Sequence, residues 1–158
     1  MKQAKWKAYA LWILICEVVG VVSGLLSRAG IELYNQTVAK PPFTPPSWVF
    51  PVVWTILFAL MGISAARVSL SEPSVSRSWG LNLFTAQLIV NFFWPLFFFN
   101  LQAYVFSFIW LLILWILVAA TIWIFYKVDT TAAWLLVPYL AWLTFAAILN
   151  LSVWLFNQ

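Results

Sequence analysis

A carboxylate within the first apolar stretch is the side chain whose position most suggests chemistry. Glu17 lies near the middle of residues 6–27, which are otherwise largely apolar. A charged group in hydrocarbon is costly, so Glu17 should face protein or water, or be protonated. Gly20, Gly24 and Ser27 follow it on the same helix face, and the G-x-x-x-G spacing lets another helix approach closely. The pattern predicts that Glu17 faces a packed interface, where it could recognise a ligand cation, couple protons, or bond a neighbouring helix as a neutral acid.

A later apolar stretch carries amides on one face. Gln87, Asn91 and Trp94 follow one another at i, i+4 and i+7, which is one side of a helix. Pro95 lacks an N–H group, and its ring pushes against the carbonyl of residue 91, so a kink and a free acceptor are expected there. This face should offer hydrogen bonds to a neighbouring helix or to a ligand.

Tryptophan is in large excess, with 12 residues in a chain of 158. Tryptophans near helix ends fit the aromatic belt of membrane proteins. Trp54 and Trp142 lie deeper in their stretches, and Trp142 shares one stripe with Ala146, Leu149 and Asn150. Because flat rings stack on flat ligands and an indole N–H seeks an acceptor, these two tryptophans are predicted ligand contacts.

Several classes of site are excluded by what the chain lacks. It has no histidine and a single cysteine, Cys16, so a His/Cys metal site, a Ser-His-Asp or Cys-His pair and an internal disulfide are excluded within one chain. No cofactor and no metal are predicted. The eight Lys and Arg residues are scattered, whereas nucleic-acid readers cluster them on one face. No nucleic acid is therefore expected as a partner.

The elements that position these residues are membrane spans. The chain is 65% hydrophobic and 8% charged, with a mean hydropathy of +0.99, far from the average of a soluble domain. A spanning helix needs about 20 apolar residues. The sequence predicts an all-α integral membrane protein, a five-transmembrane-helix bundle forming one domain over residues 1–158, with helices at about 6–27, 47–68, 78–99, 103–126 and 131–156.

The connection between the first two spans is long and ends in a proline-rich run. Residues 28–46 include four prolines within residues 41–46, which predict a stiff, extended entry into the second span. Tyr34 and Phe43 add aromatic surface to it. The segment is either a connector on the membrane interface or a lid over a cavity between the helices, and its length favours the lid.

Basic residues predict the orientation of the chain. One side carries six and the other carries two, Arg28 and Lys40; the six are Lys2, Lys5, Lys7, Arg67, Arg77 and Lys127. If the membrane is that of a bacterial cell, which is the predicted location of this multi-pass protein, the positive-inside rule places the N-terminus in the cytoplasm.

Three separated motifs resemble one family in order and spacing. They are residues 40–55 (KPPFTPPSWVFPVVWT), 87–95 (QLIVNFFWP) and 138–150 (PYLAWLTFAAILN). On these the chain resembles the TspO/MBR family, the tryptophan-rich sensory proteins whose mitochondrial members are the translocator protein or peripheral benzodiazepine receptor. Any one motif alone would be weak, but three in register over nearly the whole chain are specific.

The resemblance implies a five-helix bundle, often a homodimer, with a ligand cavity under the loop between the first two helices. It implies binding of porphyrins such as protoporphyrin IX and haem-like tetrapyrroles, and of benzodiazepine-type drugs, in tetrapyrrole regulation or stress sensing. The implied function is that of a receptor or a carrier-like transport protein. By motif, the cavity wall would include Tyr34, Trp54, Asn91, Trp142, Ala146 and Leu149, with Gln87, Trp94 and Asn150 beside them.

Two other functions stay open at this point. Some bacterial relatives are associated with light-dependent porphyrin breakdown, which the resemblance would assign to Trp54 and Trp142, making the protein an enzyme without ordinary acid–base residues. A small proton-coupled drug exporter would use Glu17, but such exporters usually have an even number of spans and lack the proline-rich run. The C-terminal sterol pattern of mammalian members, a Tyr followed by a basic residue, is absent from residues 149–158, so a sterol ligand is not expected.

Overall fold

All regular secondary structure in the described part of the chain is helical. The computed structural model describes residues 2–158, with side chains from Ala4 onward. Its elements, in chain order, are α1 Lys2–Leu26, α2 Arg28–Thr37, α3 Val49–Ser69, α4 Val75–Pro95, the π-helical segment Leu96–Asn100, α5 Tyr104–Val128 and α6 Thr130–Phe156. The predicted all-α fold is thereby confirmed.

Five of the helices are long and apolar enough to cross a membrane. The spans are Ala4–Leu26, Val49–Ser69, Val75–Asn100, Tyr104–Val128 and Thr130–Phe156. The largest departure from the predicted bounds is at the start of the third span, predicted at residue 78 and observed at Val75. A helix satisfies its own backbone hydrogen bonds in lipid, which is why apolar runs of this length fold in this way. The chain is an integral, multi-pass membrane protein.

Residues 28–46 are predicted from the sequence to be a loop, but the first part of this connection is helical. Residues Arg28–Thr37 form α2, a helix of 10 residues with Gly30 and Tyr34 buried on one side. These two residues stand at i and i+4, the spacing that gives a short helix one inward face. The helix ends before Lys40 because the residue ahead of a proline is pushed out of the helical region. Only residues 38–48 connect α2 to α3 without helix.

The spanning helices form a bundle in which α1 packs on α3 and α4, α3 also packs on α6, and α5 lies against α4 and α6. The expected close approach at Gly20 and Gly24 is wrong. A Cβ on Gly20 would meet only the Phe58 ring, and one on Gly24 would meet no atom within 4 Å. The close approach is at Gly62, where a Cβ would collide with the backbone of Ile13, so α1 and α3 touch there.

One end of the bundle is solidly packed and tied by polar contacts. The rings of Phe84 and Phe125 stack there with centroids 6.0 Å apart. Arg67 at the end of α3 forms an ion pair with Asp129, with 2.9 Å between Nη2 and Oδ2, and Asp129 accepts the Ala132 N–H at 2.8 Å as the cap of α6. Arg67 and the turn after Lys127 therefore lie on one side, as the orientation argument requires; the side chain of Lys2 lies outside the described residues.

Pro95 changes the helix type rather than ending the span. The α-helical part of α4 stops at this proline, and the chain continues as the π-helical segment, in which the Leu101 N–H donates to the Leu96 carbonyl at 3.1 Å. Proline supplies no N–H, so the local ladder must rearrange. The Phe92 carbonyl accepts from the Ser23 hydroxyl of α1 at 2.7 Å. The rearranged turn thus holds α1 and points new side chains inward.

Candidate functional site

A cavity of about 400 Å³ opens at the end of the bundle opposite the Arg67–Asp129 pair. This end collects the last turns of α1, α4 and α6 and the first turns of α3, while α2 and residues 38–48 cover it. The size is within the range of small-molecule sites. Its lining residues are Glu17, Gly20, Val21, Ser23, Gly24, Ile31, Tyr34, Asn35, Lys40, Thr44, Pro45, Ser47, Phe50, Pro51, Trp54, Thr55, Phe58, Asn91, Trp94, Pro95, Phe98, Phe99, Trp142, Phe145, Ala146, Leu149 and Asn150.

The cover is docked through an aromatic side chain. Tyr34 of α2 is 7% exposed and packs on Phe98 and Phe99 of the π-helical segment, with ring centroids 5.5 and 5.2 Å away. Burial, with a smaller contribution from Tyr104, raises the pKa of Tyr34 to about 12. The hydroxyl therefore stays protonated, so the cover brings a neutral ring to the cavity.

A side-chain amide holds the next part of the cover. Asn157, just after α6, accepts the Ala39 N–H at 3.0 Å and donates to the Ala39 carbonyl at 2.8 Å. The same amide donates to the Val153 carbonyl at 2.7 Å, which fixes its rotamer. Residues 38–48 are therefore tied to the end of α6, as expected of a lid over a cavity.

The two tryptophans singled out from the sequence lie on the cavity wall. Trp54 packs on Phe58 with ring centroids 5.6 Å apart, and Trp142 packs on Phe145 at 5.3 Å. The Trp142 Nε1 atom is buried, yet no acceptor in the described chain lies within hydrogen-bond distance. A buried donor left unpaired costs about 1–3 kcal/mol. The wall thus offers flat apolar faces, and the unpaired indole N–H of Trp142 is buried within it.

Gln87 does not line the cavity, unlike the other residues singled out from the sequence. Its Oε1 accepts from the Tyr139 hydroxyl at 2.8 Å, and that hydroxyl accepts from Asn91 Nδ2 at 2.6 Å. Gln87 is 1% exposed and Tyr139 is fully buried. The amides of Gln87 and Asn91 on α4 therefore form hydrogen bonds with Tyr139 on α6. Of these two residues, only Asn91 also lines the cavity.

Asn150 and Trp94 are joined to one another at the cavity wall. The Trp94 indole donates to Asn150 Oδ1 at 3.3 Å, and the Ser107 hydroxyl donates to the same oxygen at 3.2 Å. Asn150 Nδ2 donates to the Tyr104 carbonyl at 2.9 Å. These bonds connect α4, α5 and α6, so both residues shape the wall with their polar atoms already engaged.

Glu17 faces the cavity from the middle of α1. Its side chain is half-buried and, within the described residues, forms no ion pair and no hydrogen bond. Gly20 and Gly24 lie on the same side and also line the cavity. The predicted inward direction of Glu17 is therefore what the structure has, but the group it faces is open space rather than a packed helix.

Sequence reasoning missed an aromatic part of the wall. Phe98 and Phe99 come from the π-helical segment, and Phe50 comes from the first turn of α3, where its ring lies 5.8 Å from that of Trp142. The signal for the first two was Pro95, because a rearranged ladder rotates the following side chains relative to a regular helix. Phe50 lies inside the motif of residues 40–55, but its direction depends on where α3 begins.

The acidic and thiol residues of the described chain do not gather into a metal site. No group of three or more such side chains that could hold a metal ion occurs among them. The charged side chains that line the cavity are Glu17 and Lys40.

Comparison with known proteins places this chain beside one family. The model of the TspO/MBR family matches residues 12–155. The chain is 37% identical over 149 residues to the Tryptophan-rich protein TspO of Chlorobaculum tepidum, covering 91% of this chain and 92% of the relative. It is 36% identical over 150 residues to Protein CrtK of Rhodobacter capsulatus, covering 94% and 92%. It is 38% identical over 140 residues to the Translocator protein of Homo sapiens, covering 85% and 77%.

Proposed function

Because this chain belongs to the TspO/MBR family and encloses an aromatic cavity, we propose that it binds porphyrins such as protoporphyrin IX between its helices. Family membership and the five spans give it a membrane-embedded, sensor or carrier-like role. The porphyrin is the specific part of the proposal. Benzodiazepine-type compounds, which are also aromatic and apolar, would compete for the same cavity.

The observation that carries the proposal is the wall of aromatic rings around the cavity, which includes Trp54 and Trp142. A porphyrin offers a wide flat π-surface to these two tryptophans. Stacking and burial of apolar surface contribute affinity without an axial ligand. The lack of histidine in the chain agrees with a ligand held in this way.

The covered cavity also supports a role in sensing or carrying rather than permanent storage. The cover is held by Tyr34 and the close approach of Gly30 to the π-helical segment, by Phe43 against Phe145 and by Asn157, whereas the rest of the wall is packed helix. Small numbers of contacts open locally at low cost, which is how lids exchange ligands. The five spans also differ from the even number usual in the proton-coupled exporters considered as an alternative.

Tryptophan fluorescence of the purified protein in lipid nanodiscs, titrated with protoporphyrin IX, tests the proposal. We expect saturable quenching in the micromolar range or tighter. The double variant Trp54→Phe/Trp142→Phe should bind about tenfold more weakly, since it loses ring area, a change of about 1.4 kcal/mol.

The matched control removes two tryptophans that are distant from the cavity. Trp79 and Trp134 are 61% and 65% exposed on the outside of the bundle, and the Trp79→Phe/Trp134→Phe variant should bind like the native chain. Quenching that does not saturate, or that is equal in both double variants, would contradict the proposal. Loss of porphyrin absorbance only under illumination would instead point to light-dependent breakdown.

A further inference from the structure

Two charged side chains line the cavity, and they carry opposite charges at different depths. Lys40 lies in the cover, between α2 and the proline-rich run, and Glu17 lies on α1. Glu17 comes nine residues before the end of α1 at Leu26, which corresponds to about 14 Å along a helix axis. The basic group, Lys40, therefore lies at the covered end of the cavity, and the acidic group, Glu17, lies deeper.

Lys40 is held in place by its neighbours, and not all of its hydrogen-bond donors are used. Its Nζ donates to the Asn35 carbonyl at 3.0 Å and lies 5.1 Å from the centroid of the Tyr34 ring. An ammonium group has three donors. Since no carboxylate pairs with Lys40 in the described part of the chain, its remaining donors are free for a ligand at the mouth of the cavity.

Glu17 is the counterpart inside the membrane span. It has no ion pair within the described residues, so its charge is not neutralised by another side chain. The wall between Glu17 and Lys40 is aromatic and includes Trp54, Phe58 and Trp142. A ligand carboxylate placed deep in the cavity would meet the Glu17 carboxylate in a poorly solvated site, which is strongly unfavourable.

We propose that Lys40 and Glu17 orient the ligand, so that the cavity selects aromatic amphiphiles bound with a carboxylate outward at Lys40 and their uncharged edge inward. The inference rests on the proposed function and deepens it, because it assigns the direction of a porphyrin in the cavity. Both carboxylates of protoporphyrin IX lie on one edge of its ring, so one orientation places them at the mouth. The opposite orientation places them against Glu17 and leaves Lys40 without a partner.

Comparing the affinities of protoporphyrin IX and of its dimethyl ester, which lacks both charges, distinguishes an effect on the orientation of the ligand from an effect on binding in general. The Lys40→Gln variant should bind the acid about tenfold more weakly, as expected for the loss of one charge-assisted hydrogen bond, and the ester within twofold of the native chain. Lys40→Arg should restore binding of the acid. Adding Glu17→Gln to Lys40→Gln should recover part of the lost affinity, since the inverted orientation is then no longer repelled.

Lys127→Gln is the matched control, because Lys127 is a cation at the other end of the bundle, over the Trp123 ring. It should leave the binding of both porphyrins unchanged. Carbodiimide treatment of the complex gives a direct readout, since it should join a porphyrin carboxylate to the Lys40 amine as an amide detected by mass spectrometry of that peptide.

The outcomes distinguish the two proposals. If neither porphyrin binds saturably to the native chain, the proposed function fails. If both bind and Lys40→Gln weakens the acid and the ester equally, or weakens neither, the function stands and the orientation is overturned. Cross-linking that joins the porphyrin to Lys5 or Lys7 instead of Lys40 would likewise overturn it.

Discussion

At the scale of single residues, the polar side chains inside the bundle divide into those spent on structure and those left for a ligand. Gln87, Tyr139 and Asn150 have their polar atoms bonded to neighbouring helices. Glu17 and Lys40 have no charge partner within the described residues, and both line the cavity. These two are the side chains that the proposed ligand would meet with their charges unpaired.

The Tyr139 hydroxyl connects Gln87 and Asn91 in the buried hydrogen-bond network. Its removal should therefore lower the stability of the protein. Tyr139→Phe leaves Gln87 Oε1 and Asn91 Nδ2 without this partner, and both residues are at most 5% exposed. We expect the free energy of unfolding to fall by about 1–3 kcal/mol, measured by denaturant or thermal unfolding in detergent. Tyr126→Phe is the control, since Tyr126 is 57% exposed and should change stability little; an equal effect of both substitutions would contradict the network's role.

At the scale of elements, the cover over the cavity is made from two unlike pieces. The helix α2 is docked by apolar contacts of Tyr34, whereas residues 38–48 are irregular, with turns at 42–43 and 47–48, and are held by the side-chain amide of Asn157. Proline limits the freedom of the second piece, so few contacts are enough to fix it. Loosening either piece should change how fast a ligand exchanges more than how it stacks.

Asn157→Ala removes both hydrogen bonds to Ala39 and should loosen the cover. We expect the Ala39 amide to exchange its hydrogen about tenfold faster, since its acceptor is lost, and porphyrin dissociation to accelerate by a similar factor. Hydrogen-exchange mass spectrometry and stopped-flow fluorescence measure the two rates. Gln158→Ala, one residue further on, is the control; unchanged rates in Asn157→Ala would mean that α2 alone holds the cover.

At the scale of the whole molecule, the helical bundle has one end that is filled by side chains, here called the closed end, and one end that contains the cavity, here called the open end. The closed end is packed by stacked rings and tied by the Arg67–Asp129 pair, and the open end holds the cavity. Burial alone would raise the pKa of Asp129, but the hydrogen bonds from Arg67 and the Ala132 N–H outweigh it and hold that pKa below its ordinary value of 3.8. The anchoring charge is therefore present at neutral pH.

Asp129 consequently links stability to pH. A depressed folded-state pKa stabilises the protein above the ordinary value of 3.8, and this contribution is lost as the pH falls through the folded-state pKa. Asp129→Asn should cost about 1 kcal/mol at pH 7, since it removes the ion pair with Arg67, and the partial exposure of that pair keeps the cost small. Unfolding curves at pH 7 and pH 3 measure it, with the exposed Glu72→Gln as control. An Asp129→Asn chain whose stability falls with acid as steeply as the native one would refute this link.

The sequence alone determined the class of fold and the five spans, and it named a minority of the residues that line the cavity. Apolar runs of spanning length have one outcome in lipid, because only a helix satisfies its own backbone there. The three motifs indicated the family, which the comparisons bear out. Helical spacing also predicted that Glu17, Trp54, Asn91 and Trp142 face inward, since periodicity fixes which residues share a face. The orientation of the bundle in a bacterial membrane stays a prediction.

Only the tertiary structure decided how these faces are used. It turned the first half of the predicted loop into α2, whose burial of Tyr34 depends on rings from a distant π-helical turn. It moved the close helix approach from the glycine pair of α1 to Gly62, because backbone contact depends on the partner helix and not on spacing. It also determined that Gln87 accepts a hydrogen bond from Tyr139, and that the indole N–H of Trp142 has no acceptor within the described chain. Partners far apart in the chain settle which polar atoms remain available, and no local pattern encodes that choice.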